Sequence, residues 1–209
     1  MTEHDDDSTL AAPDELSKQA KHLLRLVSRA ERLEALPRTG WIVCGVQNPE
    51  SVAAHSYMVA IIAMWIADQL AEPIDMAFLL RIALLHDIGE AVLTDLPWPV
   101  KRFVGSEVLA EAEQRAVDLV LEDSPASWRQ AFGAYVERGS IEARIVKAAD
   151  QIQMLAKACQ YASQHRGDTE RFWHVARNFD DHGIALVASV FEELSRHHKD
   201  GSWFLANFD

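Results

Sequence analysis

The segment Ala83-Leu84-Leu85-His86-Asp87-Ile88-Gly89-Glu90 ends an apolar helix on two ionisable side chains and sets a third three residues later. Upstream of it Met76, Leu79, Leu80, Ala83 and Leu84 recur at helical spacing, which predicts a helix over residues 75–87 with His86 and Asp87 at its C-terminal end. Downstream, Asp95 precedes Leu96-Pro97, and residues 96–100 read as a Pro-rich loop. A His-Asp step by itself carries no information, since chance allows about one in a chain of this composition and another stands at His4-Asp5 in a purely polar stretch. The apolar setting distinguishes the second.

The rest of the chain repeats the helical period. A helix over residues 49–70, with Asn48 as its cap and Pro49 in its first turn, is apolar on nearly every side, so it is expected at the centre; it carries His55. Asp150 lies among Ile145, Val146, Ala149, Ile152 and Leu155 in a helix expected over 141–164. A first helix opens at Asp14 and runs through Leu16, Ala20, Leu23, Leu24, Val27 and Leu33, before a break over 37–46. Further helices are expected over 106–122, 127–137 and 170–198, with Gly139, Gly167 and Gly201 as punctuation. No strand alternation or internal repeat appears, so the fold class is all-α.

The chain has 209 residues, 49% hydrophobic and 25% charged, enough to bury one core. Residues 1–13, with Asp5, Asp6 and Asp7, form an acidic tail without apolar periodicity, and residues 14–209 form one domain. The formal net charge of -12, with no cluster of Lys and Arg, argues against a nucleic acid duplex or a membrane surface as partner. A small anionic substrate stays compatible, because a metal ion and a few local cations reverse the potential within one pocket. Cys44 and Cys159 form no CxxC motif and read as packed hydrophobes, and neither a signal peptide nor a long apolar run appears. A cytoplasmic protein is expected.

His55, His86, Asp87 and Asp150 are ligand-type side chains placed among core residues. Burying them without partners would cost several kcal/mol, and one shared divalent cation would satisfy all four. Imidazole and carboxylate without thiolate suit Mn, Co, Fe, Ni or Zn.

In this order, a His, a later His-Asp pair and a distant Asp, the chain resembles the HD superfamily of metal-dependent phosphohydrolases, a compact helical bundle of about six or seven helices. Pro37-Arg38-Thr39-Gly40-Trp41, residues 48–56 (NPESVAAHS) and Asp95-Leu96-Pro97 are similar to its 5'-deoxynucleotidase-like branch over about residues 20–160. The resemblance implies removal of the 5'-phosphate from a nucleoside monophosphate, with His55, His86, Asp87 and Asp150 holding one divalent metal ion. No histidine lies in residues 88–149, where two-metal relatives carry extra ligands. An HD enzyme for polyphosphorylated nucleotides and a non-catalytic HD signalling domain are the alternatives.

The same resemblance suggests a role for each remaining residue. Glu90 would position or deprotonate the attacking water, its alternative being a solvated helix-end carboxylate. Asp95 would contact the sugar or assist protonation, unless it only bonds its own turn. Arg38 would fork two phosphate oxygens, with Lys101 a weaker candidate for the same task. Trp41 and Trp98 would flank the site and offer indole faces to a base or sugar, whereas Trp65, Trp128 and Trp173, at helical positions, read as core or interface residues. His165, His174, His182, His197 and His198 read as surface residues. The apolar face expected over 170–198 would cover the core or a second subunit, which makes a homodimer the expected assembly.

Overall fold

The computed structural model describes residues 13–203, and within them the chain is helical throughout. The helices in order are α1 (Pro13–Ala30), α2 (Arg32–Ala35), α3 (Thr39–Val43), α4 (Val52–Gln69), α5 (Met76–Leu85), α6 (Glu90–Leu93), α7 (Trp98–Val104), α8 (Ser106–Val120), α9 (Ala126–Glu137), α10 (Ile141–Ser163) and α11 (Ala185–Asp200). Seven of them have ten residues or more, and the four short ones lie in segments that sequence periodicity is too brief to mark. Among the described residues no strand forms, only an isolated antiparallel bridge between Pro37 and Ser51. The expected acidic tail, residues 1–13, lies outside the described residues except for Pro13, which opens α1 with Asp14 in its first turn.

One cap and one helix differ from expectation. Asn48 sits at φ 49° in a turn, and the cap of α4 is Ser51, whose Oγ accepts from the amide of Ala54 at 3.2 Å. The helix expected over 170–198 is instead two 3-10 turns, Glu170–His174 and Ala176–Phe179, followed by α11. The break lies where the carboxylates of Asp180 and Asp181 accept the backbone amides of His182 (3.0 Å) and Gly183 (2.8 Å), local bonds that compete with a helical ladder. His182 is also no surface residue: its side chain is 6% exposed and its Nε2 lies 3.0 Å from Gln151 Oε1.

Helix α4 is central because it packs against both α5 and α10. Ala60, Ala63 and Ala67 on α4 and Ala148 and Ala149 on α10 are buried and small, which lets the two backbones approach closely. Ile66, Leu79, Ile82, Ile145 and Leu155 fill the space between, each worth about 1.5–3 kcal/mol on burial. Val187, Phe191 and Leu194 of α11 join this core, so that helix covers the first domain core with its apolar face. A second cluster, Leu33, Val52, Leu85, Ile88, Val117, Val120, Leu121 and Phe132, holds the end of α5 against α8 and α9. Gly89 is what lets that end pack, since a Cβ there would meet Val117 Cγ2 at 3.1 Å.

Gly167 pins the loop after α10 beneath residues 44–46. Its φ is +73°, and a Cβ there would fall 2.6 Å from the carbonyl oxygen of Cys44 and 2.9 Å from the amide nitrogen of Val46. Both atoms are backbone and cannot turn aside. The substitution Gly167→Ala should therefore cost roughly 2–4 kcal/mol and lower the thermal midpoint by about 4–10 °C. A calorimetric or circular-dichroism melt checks this; an unchanged midpoint would show that the loop relaxes freely.

Candidate metal centre

Three helices deliver the ligand-type residues to one point. His55 lies one turn into α4, where Val52, Val59 and Ala63 bury its helix on both sides, and the ring is wholly inaccessible. His86 is the C-cap of α5, a helix started by Asp75, whose carboxylate accepts the amide of Phe78 at 2.9 Å. Asp150 lies near the middle of α10, and its side chain reaches His55 of α4.

His55 Nε2 and His86 Nε2 face each other at 3.3 Å. His86 Nδ1 donates to the carbonyl oxygen of Ala83 at 2.7 Å, and since a carbonyl only accepts, Nδ1 carries a proton and Nε2 is the nitrogen left to offer a metal ion. Asp150 Oδ1 is 3.3 Å from His55 Nε2, and the ligand atoms of His55, His86 and Asp150 all lie within 4.8 Å of one another. Asp87 stands slightly apart from this trio. Its Oδ2 is 3.3 Å from His86 Nε2 and 3.7 Å from His55 Nε2, and the same oxygen accepts from Arg38 Nη1 at 2.7 Å. Two imidazole nitrogens turned toward each other, with carboxylates on both sides, form a donor set that fits a divalent cation.

The electrostatics follow from burial and sign. Burial would raise the Asp87 carboxyl, but His86 and Arg38 outweigh it and hold the group well below the usual carboxylate range. Asp150 is held low in the same way, its hydrogen bond to His55 and the nearby Lys147 outweighing burial. Burial works against the charge on Arg38 too, yet Asp87, Asp95 and Glu90 raise it above its ordinary value. Glu90 goes the other way: burial, then the charge of Asp87, push its carboxyl up to about 9 against the pull of Arg38. Its Oε2 is buried with no hydrogen-bond partner, and its Oε1 is 3.9 Å from Arg38 Nη1.

These groups line a cavity of about 310 Å³ that holds Arg38, His86, Asp87, Glu90, Asp95, Lys101 and Asp150. Asp95 does more than close its own turn. Its carboxylate accepts the amide of Thr39 at 2.7 Å and its carbonyl accepts the Thr39 hydroxyl at 2.6 Å, clamping the segment that carries Arg38. Trp41 is not brought to the cavity and is corrected as a site candidate: the ring is 3% exposed, tilts over Phe172 at 4.5 Å and donates to Glu50 Oε1 at 3.0 Å. A large apolar ring gains more from this third core cluster than from a wet loop. Trp98 also lies outside the cavity, stacked beneath the guanidinium of Arg171 at 4.0 Å.

Sequence reasoning passed over four residues that the fold adds. Lys147 and Gln153 stand one helical turn before and after Asp150, a spacing that could have drawn attention to them. Lys147 lies 3.9 Å from Asp150 Oδ2 and over the ring of Tyr135, and burial lowers its pKa despite Asp150. Tyr135 donates to Asp150 Oδ2 at 2.8 Å and lines the cavity with Arg138; neither left a signal in the sequence.

Residues 30–185 match the family profile described as "HD domain". A human protein named 5'-deoxynucleotidase HDDC2 is 32% identical over 179 residues, covering 83% of this chain and 86% of that protein. A fission-yeast protein, Schizosaccharomyces pombe 5'-deoxynucleotidase hdd1, is 29% identical over 145 residues, 66% of this chain and 72% of its own length. Among solved structures, a conserved hypothetical protein from Pyrococcus furiosus superposes with a TM-score of 0.72 at 34% identity, covering 83% of this chain and 99% of that one.

Proposed function

As the chain belongs to the HD-domain family, we propose that it is a metal-dependent phosphohydrolase that removes the 5'-phosphate from nucleoside monophosphates, deoxynucleotides among them. One observation carries this proposal: the His55 and His86 Nε2 atoms meet at 3.3 Å beside Asp87 and Asp150, at the wall of a cavity that also holds Arg38, Lys101, Arg138 and Lys147. The names of the human and fission-yeast relatives support the nucleotide class. The cavity, about 310 Å³, is at the small end of ligand sites and suits one phosphoryl group with a sugar better than a triphosphate chain.

His55, His86, Asp87 and Asp150 would hold one ion of Mn, Co, Fe, Ni or Zn. Such an ion lowers the pKa of a bound water and polarises a phosphoryl oxygen. Glu90 holds its proton in the metal-free protein; with a divalent charge beside it the carboxyl would be ionised and would take a proton from the attacking water as the new O–P bond forms. The bond from phosphorus to the 5'-oxygen breaks, and the leaving oxygen gains the proton that Glu90 took up or one from solvent, with Asp95 beside it to contact the sugar. Arg38, 2.7 Å from Asp87, and Lys147, 3.9 Å from Asp150, would hold the nonbridging oxygens, and Lys101 and Arg138 line the same cavity. Arg38 would release Asp87 in part to do so.

The assembly proposed is a homodimer working in the cytoplasm. Tyr57, Ile61 and Trp65 form an exposed apolar stripe on α4, which supports a second copy as partner. Cys44 and Cys159 are unpaired, as a reducing compartment requires. Among the described residues no helix is long and apolar enough to cross a membrane.

The test is phosphate release by metal-stripped protein from nucleoside 5'-mono-, di- and triphosphates, with Mn, Co, Ni, Zn and Mg added singly. Release from monophosphates alone, restored by metal and lost in Asp87→Ala, is the expected result. Cleavage only of polyphosphorylated or diester substrates would move the enzyme to another branch of the family. No release and no retained metal would mark a non-catalytic domain.

A further inference from the structure

Behind His55 lies a chain of buried polar groups that no part of the proposed reaction uses. His55 Nδ1 is 2.7 Å from Gln153 Oε1, and Gln153 Nε2 donates to Glu50 Oε2 at 2.7 Å. Glu50 is held in turn by donors only: the indole Nε1 of Trp41 at 3.0 Å and the ammonium of Lys157 at 3.5 Å. Its own side chain is 6% exposed, and Gln153 is 3% exposed. A carboxylate in the wall of a core needs such a purpose, since its desolvation is otherwise a plain cost.

We propose that Glu50 and Gln153 form a positioning relay that fixes the His55 tautomer and so prepares the metal-binding nitrogen. The direction of every bond follows from Glu50. A carboxylate offers lone pairs, so the Gln153 amide must turn its NH₂ toward Glu50 and its oxygen toward His55. That oxygen only accepts, so His55 Nδ1 must carry the proton and Nε2 the lone pair. Nε2 is the atom that faces His86 Nε2 and Asp150 Oδ1. His86 reaches the same state through the Ala83 carbonyl, by a backbone bond that mutation of a side chain leaves intact. His55 therefore depends on two side chains 98 residues or fewer from it in sequence, and on the buried charge that orients them. The relay also ties the segment that leads into α4, the helix of His55, to α10, the helix of Asp150.

The relay rests on the proposed metal site, and the experiment separates the two. Co²⁺ is titrated calorimetrically into metal-stripped protein. Glu50→Gln puts an amide where the carboxylate was; with Trp41 still donating to its oxygen, its NH₂ faces Gln153, which must flip and present NH₂ to His55. The proton of His55 then moves to Nε2 and blocks the metal nitrogen. Co²⁺ affinity should fall by about 10–100-fold. The exchange Glu50→Gln with Gln153→Glu restores the donor order, because the amide at position 50 donates to a carboxylate that accepts from His55 Nδ1. Affinity should return to within several-fold of the parent. Parent-like affinity in Glu50→Gln, or no recovery in the exchange, would overturn the relay, while a parent that takes up no Co²⁺ would overturn the metal site and the relay with it. Folding of the variants is not required for a second test on the Zn²⁺-loaded parent. Long-range ¹H–¹⁵N spectra should show His55 protonated on Nδ1 and metal-bound through Nε2, and the opposite assignment would sink the proposal.

Discussion

Replacing Asp150 with asparagine is expected to lower metal-stimulated phosphate release roughly 1000-fold while leaving the helical fold in place. The substitution keeps the shape of the side chain and an oxygen for the Tyr135 hydroxyl, which donates to Oδ2 at 2.8 Å. What it removes is one negative charge beside His55 Nε2, 3.3 Å away, and with it one carboxylate of the ligand-type trio that lies within 4.8 Å. The ion contributes several kcal/mol of charge stabilisation to phosphoryl transfer, and each 1.36 kcal/mol is tenfold in rate. The loss also leaves the buried Lys147 without its nearest carboxylate. Steady-state phosphate release and bound-metal content, measured on the same preparation, check the result. Activity within tenfold of the parent with a full complement of metal would remove Asp150 from the site.

The second large effect is expected at Glu90. Glu90→Gln should lower kcat by about 100- to 10,000-fold, the span typical of a lost general base, with metal affinity changed by no more than a few-fold. Its stability effect has the opposite sign. Burial and Asp87 push the Glu90 carboxyl up to about 9, against 4.5 for an ordinary glutamate. Between those two pH values the folded metal-free protein keeps this proton and the unfolded chain has lost it. The folded state therefore binds more protons, and stability falls as pH rises through that window. An amide is neutral at every pH, so the metal-free variant should melt at least about 2 °C above the parent at neutral pH and show a flatter dependence from pH 5 to 9. A variant that keeps its turnover would remove Glu90 as the base, and one that melts below the parent at neutral pH would show that its carboxyl is not strained by burial. The pairing of lost turnover with gained stability is the mark of a group strained for its task.

How much of this site the sequence disclosed depends on the kind of interaction. The residues set in apolar helices, His55, His86, Asp87 and Asp150, were legible because a polar group in a hydrophobic period is locally conspicuous. Glu90, Asp95, Arg38 and Lys101 were legible through motif and position, and all four line the same cavity. Trp41 was misplaced because its segment is near the site in sequence, whereas its ring turns inward to Phe172 and Tyr161. Local proximity does not tell which way a side chain faces.

The amino-acid sequence by itself determined the all-α class, the long helices and the ligand-type residues buried in them, because the 3.6-residue period and the cost of unpaired polar groups act within a few turns of one chain. Only the tertiary structure decided that Gln153 and Glu50 stand behind His55, that Tyr135 and Lys147 flank Asp150, and that Asp95 clamps Thr39. Apart from Lys147, one turn from Asp150, these contacts join residues 15 or more apart in the chain, and they depend on how the helices and the segments between them pack. Side-chain direction at a helix crossing is set by the neighbouring helix, which no local stretch of sequence encodes.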